Sequence, residues 1–208
     1  SPENQITSDV ADESIEITDS AKGIKAGAYI LLSGGSITVN SSDDAIHSNN
    51  EILIEQANCS ISSGDDGIHA DSMLTIDGGI VNITKSYEGL ESAVIQMNDG
   101  EVYISAHDDG LNAAVGNDGS SLRGRPENHQ SDGNYYIRIT GGYVSVNSEG
   151  DGIDSNGALY IDGGTILVDG PTNNGNGAMD FNGTCEITGG ILAMAGSSGM
   201  AQAPGEGS

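Results

Sequence analysis

Pairs of neighbouring acidic residues recur along this chain at a nearly constant spacing, each just before a glycine or alanine. The pairs and their variants are Asp43-Asp44, Asp65-Asp66, Tyr87-Glu88, Asp108-Asp109 and Gly150-Asp151. A second polar position follows three residues after each pair, and it holds His47, His69, Glu91, Asn112 and Asp154. Carboxylate and amide oxygens are the ligands that Ca²⁺ takes, at about 2.3 to 2.6 Å. The spacing therefore predicts calcium binding wherever the fold stacks these positions.

Stacked carboxylates also need a cation for electrostatic reasons. At the strand separation of about 4.8 Å they repel one another, and only Lys22 and Lys25 bring fixed positive charge into the repeated positions. The predicted calcium ligands are Asp43, Asp44, Asp65, Asp66, Glu88, Glu91, Asp108, Asp109, Asn112, Asp151 and Asp154. In the alternative, the Asp-Asp-Gly strings only build solvated turns, because Asp and Gly are preferred turn residues. For His47 and His69 we favour solvent-facing turn positions over a transition-metal site.

The acidic pairs belong to a longer repeat. Its first marker is the small residue after each pair, at Gly23, Ala45, Gly67, Gly89, Gly110, Gly152 and Ala178, with separations of 22, 22, 22, 21, 42 and 26 residues. A second marker, usually the first glycine of a Gly-Gly pair, follows after 10 or 11 residues in every repeat but the fifth, where 31 residues intervene. We therefore place a loop insertion at about 115–134.

Apolar residues form columns in this register. Ile30 and Leu32 before the second marker, and Ile37 and Val39 after it, have apolar counterparts in all seven repeats. Spacing by two is the strand period, and about 22 residues without a helical stretch is the size of one turn of a parallel β-helix. The sequence predicts an all-β fold, a parallel β-helix (solenoid) of about seven coils of about 22 residues, as a single domain over residues 1–208.

The same register predicts the state of the two cysteines. Cys59 and Cys185 occupy apolar columns five coils apart, roughly 24 Å at the strand spacing, whereas the Cα atoms of a disulfide lie within about 7 Å. We expect two buried free thiols that pack as small apolar side chains.

Composition excludes several functions. The 208 residues include 31 acidic side chains and 6 Lys or Arg, for a formal net charge of -25. Such a chain repels phosphate backbones, which argues against nucleic-acid binding. No apolar stretch approaches the roughly 20 residues of a membrane-spanning helix, and the first residues lack signal-peptide features. We expect either a cytoplasmic protein or a processed, mature chain.

Four strings in the sequence are distinctive. They are GDDGIH at 64–69, EGDGIDSNG at 149–157, GPTNNGNGA at 170–178 and GSSGMAQAP at 196–204. Together they resemble a bacterial family of extracellular carbohydrate-binding β-helix proteins, and the resemblance covers roughly residues 10–204. That family is a right-handed, pectate-lyase-like parallel β-helix that carries calcium and binds cellulose and acidic sugars such as polygalacturonate. The resemblance implies a right-handed coil, Ca²⁺ at the acidic turns, and an extracellular or bacterial cell-surface location.

These features favour non-catalytic binding of plant cell-wall polysaccharide. The predicted ligand is polygalacturonate or pectin, with cellulose as a further candidate. Ca²⁺ held by the Asp-Asp-Gly turns would bridge the acidic protein to uronate carboxylates. The predicted sugar contacts are Tyr103, Tyr143, Arg123 and Arg125, since the tyrosines face outward by parity and Arg forms bidentate pairs with carboxylates.

Two alternative functions stay open. One is a calcium-dependent pectate lyase, in which Lys22, Lys25, Arg123 or Arg125 would remove the proton next to the uronate carboxylate. The other is a structural or adhesin-like surface module, for which the calcium-stapled rod is itself the function. An open edge on the last coil would also invite edge-to-edge self-association.

Overall fold

A computed structural model describes residues 21–114, 135–200 and 202–205 of the chain. Within these ranges it contains nineteen β-strands and no helix, so no helix there could span a membrane. The predicted insertion at about 115–134, with Arg123 and Arg125, lies outside the described residues.

The strands follow one another around the coil in groups of three. They are β1 Ile24–Ala26, β2 Tyr29–Leu32, β3 Ser36–Asn40, β4 Ile46–Ser48, β5 Glu51–Ile54, β6 Asn58–Ser62, β7 Ile68–Ile76, β8 Ile80–Ser86, β9 Leu90–Met97, β10 Glu101–Ala106, β11 Leu111–Ala113, β12 Tyr136–Ile139, β13 Tyr143–Ser148, β14 Ile153–Ser155, β15 Ala158–Ile161, β16 Thr165–Asp169, β17 Asp180–Phe181, β18 Cys185–Ile187 and β19 Ile191–Ala195.

Successive turns of the chain stack in parallel and form three faces. Face one runs β1-β4-β7-β9-β11-β14-β17, and face three runs β3-β6-β8-β10-β13-β16-β19. Face two is built from β2, β5, β12, β15 and β18 together with the second halves of β7 and β9. The structure confirms the all-β class and the parallel solenoid of about seven turns.

The pairing register confirms the sequence repeat. Ile46 pairs with Ile68, Ile68 with Leu90, and Leu90 with Leu111, at separations of 22, 22 and 21 residues. Leu111 then pairs with Ile153, across the 42-residue step that contains the insertion. Each repeat therefore stacks like on like, as the marker positions predict.

The apolar columns fill the interior of the coil. Ile52, Leu74 and Ile95 are stacked neighbours on face two and are at most 1% exposed. Each such side chain contributes about 1.5 to 3 kcal/mol when fully buried. Burial decreases at the two ends of the stack, where the column residues Ile37 and Leu192 are only half-buried.

The cysteines follow the same trend. Both are free thiols, as predicted; Cys59 is buried, whereas Cys185 is only half-buried. Cys185 lies in the last strand of face two, so the described structure covers it from one side only. The expectation of two fully buried thiols is therefore wrong for Cys185.

Glycine is required at the second position of the Gly-Gly corner that joins face two to face three. Gly142 has a φ of 81°, and a Cβ placed there would meet the carbonyl oxygen of Gly100 at 2.7 Å. Left-handed backbone is costly for residues with a side chain. Because the corner glycine packs against the corner of the turn before it, this position helps to set the separation between turns.

Candidate functional site

The acidic turns bring two columns of polar side chains together at the corner between face three and face one. The first column contains the second residue of each pair, namely Asp44, Asp66, Glu88, Asp109 and Asp151. The second column lies in the strands of face one, and its register pairs His47 with His69, Glu91, Asn112, Asp154 and Asp180 in succession. We call these two columns the polar strip.

The first half of the polar strip is buried. Asp44, His47, Asp66 and His69 are at most 1% exposed, and Glu91 is 5% exposed. The expectation of solvent-facing turn histidines is therefore wrong. Each histidine follows a buried isoleucine at the start of its strand, and the aspartate three residues earlier contacts its Nδ1 atom. The Asp-x-x-His spacing in the sequence could have predicted this contact between the aspartate and the histidine.

At the N-terminal end, the fixed positive charge of Lys22 lies beside the carboxylates. Lys22 Nζ lies 2.5 Å from Asp44 Oδ2 and 3.3 Å from Asp43 Oδ1. His47 Nδ1 is 2.8 Å from the same Asp44 oxygen. Burial by itself raises the pKa of Asp44, but hydrogen bonds from His47 and Lys22 outweigh it and hold that pKa well below its usual value. The first rung of the strip is thus neutralised by groups of the chain itself.

The next rung brings one imidazole between two carboxylates. His69 Nδ1 lies 3.0 Å from Asp66 Oδ2 in its own turn and 2.9 Å from Glu91 Oε2 in the following turn. Burial lowers the pKa of His69, yet the bonds to Asp66 and Glu91 raise it to about 11. Burial raises the pKa of Asp66 well above its usual value. Burial also acts to raise the pKa of Glu91, but the neighbouring His69 outweighs it and holds that pKa below its usual value. The three groups compete for the same protons.

Glu88 sits one turn further along and has no such histidine. Asn112 Nδ2 donates to Glu88 Oε2 at 2.9 Å. Burial, together with the charges of Glu91 and Asp66, raises the pKa of Glu88 well above its usual value. This carboxyl group therefore tends to be neutral unless a cation lies beside it.

In the C-terminal half, the strip presents only oxygen ligands. Carboxylate oxygens of Asp109, Asp151 and Asp154 lie within 4.8 Å of one another, and all three residues are half-buried. Asp109 Oδ1 accepts the backbone N–H of Asp151 at 2.6 Å. Burial and the charges of Asp154, Asp108 and Asp151 raise the pKa of Asp109 well above its usual value. Three hard oxygen donors and open solvent on one side fit Ca²⁺.

The first residues of the acidic pairs lie towards the outside of the corner. Asp43 and Asp65 are half-buried and group with Asp44, with ligand atoms within 4.8 Å. Burial and the charges of Asp44 and Asp43 raise the pKa of Asp65 to about 6. Asp108 is half-buried, and its contact with Tyr87 raises the pKa of that phenol to about 12. Among the described residues, neither Asp108 nor Glu88 belongs to a compact group of potential ligands.

The predicted sugar contacts fall into two sets. Tyr103 and Tyr143 lie in β10 and β13 of face three, with ring centroids 5.6 Å apart and planes tilted by 46°. Tyr103 is 36% exposed and donates its hydroxyl to Glu101 at 2.7 Å. The other two predicted contacts, Arg123 and Arg125, lie outside the described residues.

Face two carries a second aromatic group that was not among the predicted site residues. The Arg138 guanidinium lies 5.4 Å from the ring centre of Tyr160 and 2.6 Å from a carboxylate oxygen of Asp162. Tyr136 packs against Tyr160 at 6.2 Å, and its hydroxyl accepts from Gln96 Nε2 at 2.6 Å. The strand period predicts that these residues face outward, but their contacts depend on which residues the turns stack together.

Comparison with protein families matches residues 3–67 to a family described as "Carbohydrate-binding domain-containing protein". The match covers less than half of the chain and includes the first two acidic pairs. No curated protein and no solved structure matches the chain. The family match supports carbohydrate binding.

Proposed function

We propose that this protein is a non-catalytic binding protein for acidic plant cell-wall polysaccharide, with polygalacturonate as its ligand and Ca²⁺ at Asp109, Asp151 and Asp154. The observation that carries the proposal is the convergence of these three half-buried carboxylates at one corner. Bound there, Ca²⁺ would supply open coordination positions for uronate carboxylates. The same ion would offset the mutual repulsion of the three aspartates.

The surface beside this corner suits a sugar chain. Along β13 the partly exposed side chains are Tyr143, Ser145 and Asn147, so an aromatic ring and polar groups follow one line on face three. At the strand rise, Tyr143 and Asn147 are about 13 Å apart. Four residues after Asn147 the chain reaches Asp151, and a ligand lying along β13 would therefore extend from the tyrosine pair towards the candidate calcium site.

A polar surface cavity lies at the end of this line. It is lined by Asn147, Ser148, Glu149, Asp169, Gly170, Thr172 and Asn173. Amide, hydroxyl and carboxylate groups provide both donors and acceptors for sugar hydroxyls. Asn173 Nδ2 also donates to the Glu149 carbonyl at 3.1 Å, which ties the cavity wall to the preceding turn. The cavity therefore supports a sugar-binding role for this corner.

Binding is favoured over lyase chemistry because of the state of the lysines. The candidate base Lys22 is 6% exposed in its side chain and is ion-paired with Asp43 and Asp44. An ammonium held between two carboxylates is a poor proton acceptor. Lys25 is exposed on β1, four turns away from the three-aspartate corner. The remaining candidate bases, Arg123 and Arg125, lie outside the described residues.

The test is calorimetric titration of polygalacturonate onto the full chain in Ca²⁺ and in excess chelator. We expect binding in Ca²⁺ that is lost in chelator, and a loss of at least tenfold in affinity for Asp151→Asn. Glu55→Gln, an exposed carboxylate at a corner of the second turn, is the matched control and should bind like the unmodified chain. Ultraviolet absorbance of unsaturated products during the titration would instead establish a lyase. Binding that ignores chelator and Asp151→Asn would overturn the calcium site.

A further inference from the structure

The polar strip contains a second candidate metal site whose ligands differ from those of the three-aspartate corner. We propose that Asp66, His69 and Glu91 bind a small first-row transition ion of the Zn²⁺ or Co²⁺ class. The ligand atoms are His69 Nδ1, Asp66 Oδ2 and Glu91 Oε2, supplied by two successive turns. This site is independent of carbohydrate binding and of calcium at the C-terminal half.

The first argument is a buried carboxylate oxygen without a partner. Asp66 is fully buried, and its Oδ1 atom accepts no hydrogen bond among the described residues. Leaving a buried acceptor unsatisfied costs about 1 to 3 kcal/mol, and more when the group is charged. The other oxygen, Oδ2, is 3.0 Å from His69 Nδ1 and hydrogen-bonds with it, whereas Glu91 Oε2, 2.9 Å from the same nitrogen, has no hydrogen bond among the described residues. One imidazole N–H cannot fully satisfy two carboxylates, whereas a cation at this point would contact both.

The second argument is distance. The 3.0 Å and 2.9 Å separations from His69 Nδ1 to the two oxygens are close to those between ligands on a small ion. With metal–ligand distances of about 2.0 to 2.2 Å, two ligands of a Zn²⁺ ion lie about 3 to 3.5 Å apart. Ca²⁺ prefers six to eight oxygen ligands at longer distances. An imidazole nitrogen with two carboxylates in a tight, buried group therefore selects the smaller ion.

The third argument is the far side of the histidine ring. His69 Nε2 lies 3.3 Å from Asp71 Oδ1, an oxygen that is partly exposed at the start of the next corner. Metal-binding histidines commonly direct their second nitrogen at a carboxylate, which keeps the proton there and leaves the first nitrogen free to coordinate. In this structure Nε2 forms no hydrogen bond among the described residues, and Asp71 is a carboxylate close to it. The arrangement therefore provides a ligand set and a carboxylate close to the second ring nitrogen.

His47, one turn earlier, provides the internal contrast. Its Nδ1 faces Asp44 at 2.8 Å and its Nε2 faces Asn49 Oδ1 at 3.0 Å, so each nitrogen has one partner of its own. Asp44 is neutralised in addition by Lys22. The two histidines are stacked with ring centroids 4.8 Å apart, yet only His69 meets two carboxylates at one nitrogen. Replacement of His47 is therefore the matched control.

The experiment is titration of the metal-free full chain with Co²⁺ alone, followed by its visible absorption and by calorimetry. We expect one Co²⁺ with the spectrum of a nitrogen-ligated ion, retained in millimolar Ca²⁺ and displaced by Zn²⁺. His69→Gln and Glu91→Gln should each weaken Co²⁺ binding at least tenfold, while His47→Gln and Asp151→Asn leave it within about twofold. Thermal melting of each variant confirms that it is folded under the titration conditions.

Two results would overturn the site. The first is absence of Co²⁺ binding by the folded chain, since the cluster would then be a protein ion pair only. The second is Co²⁺ binding that survives in both His69→Gln and Glu91→Gln. Neither result bears on polygalacturonate binding, which Asp151→Asn reports separately.

Discussion

His69 Nδ1 lies 2.9 Å from Glu91 Oε2, although the two residues belong to successive turns of the coil. The contact crosses from one rung to the next inside a buried strip, where a charge without a partner is costly. The contact places an imidazole of the chain beside carboxylates for which the sequence predicts Ca²⁺. The three-aspartate corner at Asp109, Asp151 and Asp154 contains no histidine, and there the expectation of calcium remains a proposal.

Asp109→Asn should change thermal stability in opposite senses with and without calcium. The amide oxygen can still accept the Asp151 N–H, so the backbone contact is kept while one negative charge is removed. In excess chelator we expect a melting temperature equal to or above that of the unmodified chain, because repulsion falls. At Ca²⁺ about a hundredfold above Kd, the unmodified chain should gain about 5 to 10 °C and the variant much less. Equal gains for both proteins would contradict ligation by Asp109.

Acid should destabilise the fold partly through Asp44. Its pKa is held below the usual value, so the folded state favours the ionised carboxylate. A depressed pKa gives stability that is fully present above the unfolded pKa of about 3.9 and is lost as pH falls towards the folded pKa. The free energy of unfolding should therefore decrease below about pH 4. In Asp44→Asn this acid limb should be shallower, as measured by urea unfolding at several pH values. An unchanged limb would mean that other carboxylates account for it.

The tyrosine pair should contribute to sugar binding. Tyr103→Ala or Tyr143→Ala removes one ring of a partly exposed pair on face three. We expect polygalacturonate affinity to fall by about 2- to 10-fold for each, the range of about 0.5 to 1.5 kcal/mol for an aromatic contact. Tyr29→Ala, which removes a 49% exposed ring on face two, serves as the control for loss of surface aromatic area. Equal losses in all three variants would argue against a specific platform.

Corner glycines should differ in how much they tolerate a side chain. Gly35 and Gly142 have nearly the same φ, 85° and 81°, but a Cβ at Gly35 meets nothing within 4 Å. Gly35→Ala should therefore cost about 1 to 2 kcal/mol from left-handed backbone alone. Gly142→Ala also forces a clash with Gly100 and the Met97 side chain, and we expect about 3 kcal/mol or more. Denaturant unfolding of the two variants measures the loss in free energy of unfolding. Equal losses would mean that neighbouring turns shift enough to relieve the clash at Gly142.

The thiols should react according to their burial. Cys59 is 3% exposed, and burial raises the pKa of its thiol to about 11. At pH 8 iodoacetamide should leave Cys59 unmodified in the native protein while alkylating the half-buried Cys185 slowly. In urea both should react fully, as read by mass spectrometry. Fast native labelling of Cys59 would indicate that the first turns open readily.

Much of the fold was predictable because each sequence repeat forms one turn of the coil. Once the markers near 22 residues align Ile46 with Ile68 and Leu90, the parallel register follows without any knowledge of long-range contacts. The burial of His47 and His69 was not predicted, because polar residues beside a turn are usually solvated. Their position depends on how the acidic corner folds over the strand that follows it.

The candidate site was predictable as a set of positions but not as a set of partners. Stacking of the acidic pairs follows from the period. The ligand atoms available at each position of the strip depend instead on which residue occupies that position in each turn. His69 beside Asp66 gives a nitrogen-containing group, and Asp154 beside Asp109 gives an all-oxygen group. Such differences arise from the particular residue at each rung, which periodicity does not specify.

If calcium binds at the three-aspartate corner as proposed, the two ends of the polar strip are stabilised by different kinds of cation. Each turn contacts only its immediate neighbours, so the stability of the coil is approximately a sum of contributions from each turn and each interface between turns. Lys22 and His47, which contact Asp44, are part of the chain and stay with the first turn whatever the solvent contains. Under the proposed function, a dissolved calcium ion would supply the positive charge at the three-aspartate corner of the later turns. Removal of calcium should therefore unfold the later turns first, while the earlier turns stay folded.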